Sequence, residues 1–324
     1  MQFPFREQMA RLIKGIRAQM VAIPVNKKFH VETPLFALSI IIFLMVRMTG
    51  DPALLMLPPD AGADALEDIQ HSMGLDKPLV VQYGLFIRDY AHGSFGDSLR
   101  SKTPVSELVK DRLPNSLKLV GTAAVIVLLI SIPLGVLSAV YRGTWIDTLA
   151  TGFAVLGQAV PVFWLGILMI QLFTVKLGWL PSSGMGGLDH YIMPAFALGF
   201  FTVAAIQRLL RSSLLEAMDS EYIKLARIKG LTEFKVIWKH ALRNSMISVI
   251  TLGGIYIAIL ITLGILVEVV FAWPGMGRLM FQGIVFRDFP VVQAVVLISA
   301  AIVIFSSLVV DIAYAYLDPR IRLQ

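Results

Sequence analysis

The sequence predicts an all-helical protein that crosses a membrane several times, and three observations carry that prediction. The first is composition. Of 324 residues, 56% are hydrophobic and only 15% charged, with a mean hydropathy of +0.75. Soluble domains carry about 25% charged residues, and no soluble fold buries this much apolar surface. The second is pattern. Six apolar stretches, near 34–48, 117–141, 148–177, 191–210, 245–270 and 291–317, alternate with polar segments. The third is charge. The excess of +6 sits in segments beside those stretches, where positive charge sets membrane orientation.

The same observations exclude other classes. There are no cysteines, so disulfides, thiolate metal sites and cysteine nucleophiles are ruled out. The basic excess reads as topology, not as a nucleic-acid surface. His30, His71, His92, His190 and His240 form no HExxH motif, and no two lie on one predicted span. No phosphate-binding loop appears, so the chain is not expected to bind ATP in that way or to be an enzyme.

Residues 1–30 set Arg6, Arg11, Lys14, Arg17, Lys27 and Lys28 against Glu7 alone, with Ile13, Ile16 and Met20 on one helical face. They read as a basic amphipathic helix on membrane lipid or as a poorly ordered terminus. No continuous apolar core precedes a small-residue cleavage site, so no cleavable signal peptide is expected. The first apolar stretch is short against the ~20 residues that a bilayer requires, so it borrows residues from its flanks. Residues 49–116 turn polar. Leu66, Ile69 and Met73 line a short helix ended by Gly74, a second helix follows Pro78, and Thr103-Pro104 opens a third. This region is expected to form an extracytoplasmic ledge.

The second stretch contains Pro133, and the turn 142–147 follows it. Pro161 interrupts the third, a break that membrane helices tolerate where neighbours or water satisfy the freed carbonyl. Residues 178–184, rich in turn formers with an interfacial tryptophan, lead to the fourth. After the fifth, Phe271 to Arg278 is too apolar for a free loop and too broken for a helix. Glu268 and Asp311 are the carboxylates within the later stretches. Glu268 reads either as lining a passage or as tethering the Trp273–Gly277 turn, and its depth near the end of its span favours the tether. Asp311 reads as a partner for nearby bases.

Six spans place both termini on one side. Segments 1–30, 142–147, 207–243 and 318–324 hold six, one, eight and two Lys+Arg; segments 49–115, 178–190 and 273–290 hold six, none and two. The long 49–115 segment also carries ten acids. The first set is therefore expected in the cytoplasm. The expected organisation is a cytoplasmic segment 1–30, a six-span domain 31–318 and a cytoplasmic tail 319–324. The insertion 49–116 would be extracytoplasmic, and the loop 207–244 cytoplasmic.

That loop is more than a connection. Ser220 is placed to cap a helix opened by Glu221, and Tyr222, Leu225, Ala226 and Lys229 share a face at helical spacing. Gly230 can end the helix in the left-handed conformation, and Thr232 and Glu233 begin another that runs toward Asn244. A loop so built reads as a docking surface. A basic loop that only sets topology is the plainer alternative.

At these residues the chain resembles the permease subunit of ABC importers of the dipeptide/oligopeptide family, the first of its two paired permeases. The resemblance runs from about Pro34 to Arg322. It rests on Tyr222–Leu231 (YIKLARIKGL) with His240-Ala241-Leu242-Arg243-Asn244, and on GLDKPL at 74–79, GSFGDS at 93–98, LPSSG at 180–184, PGMG at 274–277 and DPR at 318–320. The family usually has proline at the position of Thr49, alanine at Ile228 and proline at Ser248. It also lacks so long a start as 1–30.

The resemblance implies a type I importer fold in a bacterial inner membrane. It implies a second homologous permease, two ABC ATPases that bind ATP and magnesium, an extracytoplasmic solute-binding protein and a peptide substrate. No cofactor and no metal is expected in this chain. ATPase coupling would fall to Glu221, Tyr222, Leu225, Ala226, Arg227, Lys229, Gly230, Leu231, His240, Arg243 and Asn244, with Ala226 and Gly230 small for close approach. The substrate path would involve Gln158, Phe163, Trp164, Gln171 and Thr251, all of which also read as ordinary helix packing. The outer gate would comprise Glu268, Trp273, Pro274, Gly275, Gly277 and Arg278. The rival reading, an ion-coupled secondary transporter, predicts an internal repeat and ion-binding groups at mid-membrane. The sequence displays neither.

Overall fold

Pro161, Gly230 and the turn at Ala272 punctuate a chain that is otherwise long apolar helix, and these breaks set its architecture. The computed structural model describes residues 25–49, 64, 67, 70, 71 and 74–317. The expectations for residues 1–24, for Leu66, Ile69 and Met73, for the Asp318-Pro319-Arg320 motif and for the side chain of Asp311 lie outside the described part. Among the described residues the chain forms helices and turns, with one isolated bridge between Asp97 and Pro104.

The helices in order are α1 (Val25–Thr49), α2 (Leu79–Ala91), α3 (Val105–Val140), α4 (Trp145–Ala159), α5 (Val162–Met169) with its π-helical continuation Ile170–Lys176, and α6 (Asp189–Met218). There follow α7 (Glu221–Ile228), α8 (Glu233–Lys235) with the π-helical turns Val236–Ala241, α9 (Leu242–Val270), α10 (Met276–Val285) and α11 (Phe289–Leu317). Three of them, α3, α6 and α11 over 289–310, are each long and apolar enough to cross a membrane. Two bent pairs bring the candidates to five, and 33–48 is a shorter apolar helix.

Three expectations change. The helix beginning after Pro104 does not end before the second span; it is one 36-residue helix with Pro114 and Pro133 inside it. Side-chain bonds hold it at Pro114: Asn115 donates to the Asp111 carbonyl at 3.2 Å and to the Pro274 carbonyl at 3.0 Å. The third span is an elbow, not an interrupted rod. Val160 and Pro161 are extended, and α4 and α5 meet at 107°. Proline has no N–H to carry the ladder on and disfavours helix at the residue before it. The first helix starts at Val25, nine residues before the predicted span, and continues through Pro34.

Small residues weld the centre. A Cβ on Gly135 would lie 3.1 Å from Leu210 Cβ, one on Gly199 2.8 Å from Val127, and one on Gly157 2.7 Å from Ala204 Cβ. Glycine at these points lets α3 and α4 close on α6, as small residues do between membrane helices. The register pairs Val127 with Gly199 and Gly135 with Leu210, so α3 and α6 run parallel. The most apolar window of α6 is 72% buried against 17% for α11, which makes α6 the central helix and α11 peripheral.

The described polar residues from Gly74 to Thr103 are tied down at several points. Gln82 accepts from Arg47 Nε at 2.9 Å and donates to the carbonyls of Leu75 and Lys77 at 2.9 and 2.7 Å. Gly74 takes φ +65° at the turn before it. Buried Asp288, between α10 and α11, accepts from the Ser98 hydroxyl, from Leu99 N at 3.1 Å and from Arg100 N at 3.4 Å.

Candidate functional site: a knob and a hairpin at the two ends of α9

α9 carries a built surface at each end. Before its N-terminus lies the knob of α7, α8 and the π-helical turns. The knob forms because Gly230 takes φ +76°, a conformation that ends α7 and that other residues adopt only under strain. Ile223 and Ala226 turn inward, joining Val236, Ile237 and Ala241 in one core with Leu210, Leu214 and Ala217 of α6 and with Val136 and Ala139 of α3. The opposite side of the knob is open. Tyr222, Leu225 and Ile228 stand exposed at i, i+3 and i+6 on α7, and exposed Phe234 and Trp238 pair with each other, ring centroids 6.0 Å apart and tilted by 34°. Ile228 is 80% and Phe234 70% exposed, and Lys229, Lys235, Lys239 and Arg243 are exposed as well.

This geometry revises the sequence reading in two places. Ala226 does not share the exposed face of Tyr222 and Leu225; it packs into the chain's own core, so its small size serves that packing. Gly230 supplies the turn, and a Cβ on it would meet nothing within 4 Å, which leaves the space beside it open. Neither Ser220 nor Thr232 makes a side-chain cap, and the Ser220 hydroxyl donates to the Ala217 carbonyl instead. Lys224 bonds Glu221 at 2.8 Å, Arg227 bonds Glu233 at 2.8 Å, and Asn244 donates to the Tyr222 hydroxyl at 3.2 Å. Leu231 packs partly buried on the knob core, and His240 is half-buried.

Beyond the C-terminus of α9 the chain makes a tight hairpin. Ala272 adopts φ +47° and Trp273 is fully buried. The Trp273 indole donates to the Asn115 carbonyl at 3.0 Å, and Met276 N donates to the Ser116 hydroxyl at 2.8 Å. Glu268, 2% exposed, accepts from Gly277 N at 2.6 Å and Arg278 N at 3.3 Å, the free amides of the first turn of α10. A carboxylate there is favoured by the partial positive charge of a helix start. Arg278 Nη1 donates to the Ala272 carbonyl at 2.6 Å. Pro274 and Gly275 complete the turn, so the six predicted gate residues lie in one hydrogen-bonded unit. Gly184 N donates to the Phe271 carbonyl at 2.9 Å, which brings the Leu180–Gly184 motif against it.

The predicted path residues are spread over α4, α5, its π-helical continuation and α9. Gln158 is half-buried, Phe163, Trp164 and Gln171 are exposed, and the Thr251 hydroxyl bonds back to the Ile247 carbonyl at 2.8 Å. Among the described residues no side-chain hydrogen bond joins any two of them.

One polar site escaped the sequence reading. Asp147, 7% exposed at the start of α4, accepts a two-pronged bond from Arg211 of α6, Nε to Oδ1 and Nη2 to Oδ2, each at 2.8 Å. The Ser138 hydroxyl of α3 also donates to Oδ1, and Gly143 N to Oδ2 at 3.0 Å. The signal available was two opposite charges at the ends of neighbouring apolar stretches, where an unpaired charge is costly. No group of three or more His, Asp or Glu that could hold a metal occurs among the described residues.

Comparison with known proteins adds three findings. The model of a family described as binding-protein-dependent transport system inner membrane component matches residues 131–323, and that of the N-terminal part of such components matches 20–120. The glutathione transport system permease protein GsiC of Escherichia coli (strain K12) is 40% identical over 289 residues, covering 89% of this chain and 94% of its own length. The protein of that name from Shigella dysenteriae serotype 1 (strain Sd197) matches equally. Among solved structures, an inward-facing conformation of the MetNI methionine ABC transporter aligns with a TM-score of 0.56 at 20% identity, covering 65% of this chain and 96% of that one. An amino acid ABC transporter with histidines aligns at 0.53 with 15% identity, covering 65% and 94%. These structural likenesses establish the shared fold.

Proposed function

The chain belongs to the family of binding-protein-dependent transport system inner membrane components, and from that premise we propose that its knob is the surface through which an ATPase subunit drives it. The chain itself is a multi-pass, non-enzymatic permease subunit of an ABC importer in the inner membrane. The proposed assembly pairs it with a second homologous permease, two ATPases that carry ATP and magnesium, and a solute-binding protein. In this reading the knob and both termini face the cytoplasm, the chain crosses the membrane six times, and the hairpin and ledge face the binding protein.

The observation that carries the reading is the two-sidedness of α7. Its inner side, Ile223 and Ala226, is fused to the core of α6 and α3, while its outer side exposes Tyr222, Leu225 and Ile228. An exposed apolar patch rimmed by polar groups marks an interaction site. A helix anchored on one side and open on the other can pass a push into the bundle. Swinging a two-state equilibrium from 1:99 to 99:1 takes about 5.5 kcal/mol, which a loosely held charged loop does not transmit.

Leu225→Asp and Ile228→Asp test this directly, because both side chains are exposed and neither supports the chain's own core. Each is expected to insert normally, to lose co-purifying ATPase by about tenfold or more, in line with the cost of a charge at a buried interface, and to abolish ATP-driven uptake. Uptake and co-purification at the unsubstituted level would overturn the assignment. Ala226→Glu, attractive from sequence alone, is the poorer variant, since it places a charge inside this chain's core.

For the solute, the 40% identity to proteins named as glutathione permeases supports glutathione or a small peptide of similar chemistry. Mass spectrometry of the molecule retained by the purified solute-binding protein tests this. Recovery of a sugar or a free metal ion would overturn it.

A further inference from the structure

We propose that Asp147 and Arg211 are positioning residues, a rigid strut that carries displacement of the knob into α4 and, through the Pro161 elbow, into α5. The proposal rests on the coupling role of the knob given above. Its starting point is the number of elements that meet at one carboxylate. Oδ1 of Asp147 accepts from Ser138 on α3, from Arg211 Nε on α6 at 2.8 Å and from Thr151 on α4 at 3.4 Å. Oδ2 accepts from Arg211 Nη2 at 2.8 Å and from Gly143 N in the α3–α4 turn at 3.0 Å. That turn is closed by a hydrogen bond from Thr144 N to the Tyr141 carbonyl at 3.1 Å, with Gly143 at φ +76°.

Placement gives the strut its direction. Arg211 stands ten residues before Glu221, and the helix between them passes Leu214 and Ala217, which share a core with Ile223 and Ala226 of the knob. Displacing α7 therefore displaces the last turns of α6. From there the guanidinium fork leads to the start of α4. α4 ends at the 107° elbow, and Phe163 and Trp164 begin α5 just past it. No other ion pair between described residues joins two of the long helices.

Stability alone does not account for such a pair. A largely buried ion pair can often be replaced by apolar side chains at no loss of stability. What apolar packing does not supply is a fixed angle, and a two-pronged guanidinium–carboxylate contact fixes distance and orientation together. Close packing of Gly157 on Ala204 already holds the later part of α4 against α6; the fork adds a directional tie at the start of α4, so that this end also follows α6.

The test uses the whole complex, reconstituted with its partner subunits, and reads movement rather than uptake, so it does not depend on the solute. Spin labels at Leu149→Cys on α4 and Ile255→Cys on α9, both exposed positions, report the distance between these helices without nucleotide and with ATP, magnesium and vanadate. The otherwise unsubstituted complex is expected to change that distance on nucleotide binding. In Asp147→Asn and in Arg211→Gln the change is expected to fall to less than about half, while the ATPases stay bound and hydrolyse ATP. The double variant is expected to be no worse than either single one, as for two residues acting as one unit. Arg211→Lys, which keeps the charge and loses the fork, is expected to lie between.

A full distance change in both single variants would overturn the strut. So would loss of the bound ATPases from Arg211→Lys, which would place the pair in the fold of the knob. A complex that does not move on ATP binding even without these substitutions would instead sink the coupling reading beneath it.

Discussion

Glu268 shows how much of this molecule is set by single side chains meeting backbone. Its carboxylate takes the amides of Gly277 and Arg278, and the two glycines of the hairpin leave room for it. A Cβ on Gly275 would lie 2.4 Å from the Glu268 carboxyl group, and one on Gly277 would lie 2.4 Å from the Cα of Ile265. The first clash is with a side chain that can shift only by loosening its bonds to Gly277 and Arg278; the second is with backbone, which has still less room to give. Gly277→Ala is therefore expected to destabilise the protein more than Gly275→Ala, by about 1–3 kcal/mol as overpacking generally does. Glu268→Ala leaves two buried amides without an acceptor, at about 1–3 kcal/mol, whereas Glu268→Gln keeps an oxygen for Gly277. Thermal unfolding in detergent should rank Glu268→Gln above Glu268→Ala. Equal melting of the two would show that the amides find another acceptor.

At the scale of elements, the breaks were legible in the sequence and the continuities were not. Pro161 and Gly230 each carry a local reason to interrupt a helix, and each does. Pro114 carries the same reason and does not interrupt α3, because the bonds that hold it come from Asn115 and from Pro274, 160 residues away in sequence. The fork between Asp147 and Arg211 was hidden for the same reason. Its two halves sit on different helices, and periodicity along one helix says nothing about what faces it. The outer side of α7 was legible in part. Helical spacing grouped Tyr222 with Leu225, but only the packing against α6 decided that Ala226 points inward. One further bend belongs to α9, where the stretch that ends at Gly253 and the stretch that begins at Ile255 differ in direction by 48°. A Cβ on Gly253 would meet nothing within 4 Å, so Gly253→Ala removes backbone freedom without a clash. It should stabilise the helix by roughly 0.5–1 kcal/mol, so the protein should melt no lower than before. If α9 flexes there during the cycle, ATP-driven uptake should fall by several-fold. Unchanged uptake would make the bend a static one.

For the whole molecule the question is what supplies the driving force, and the buried carboxylates answer it. An ion-coupled carrier needs an acidic group at depth that is free to gain and lose its ion. Among the described residues the buried carboxylates are Asp147, Glu268 and Asp288. Each is already committed: Asp147 to Arg211, Glu268 to the amides of α10, and Asp288 to the turn at Ser98–Arg100. Releasing any of them would strand a partly buried guanidinium or a set of backbone amides, so ion exchange at these sites would loosen the fold rather than power it. The knob, by contrast, offers an exposed apolar face that no described residue covers. The permease in liposomes by itself is therefore expected to accumulate no glutathione under a proton or sodium gradient. With its partner permease, ATPases and binding protein it should do so on addition of ATP and magnesium, and a protonophore should leave the rate unchanged. Gradient-driven uptake by the isolated chain would mean that one of these three carboxylates is less firmly held than its hydrogen bonds indicate, or that a carboxylate outside the described side chains, such as Asp311, carries the ion. Glu268→Gln and Asp288→Asn, assayed in that isolated state, would identify which.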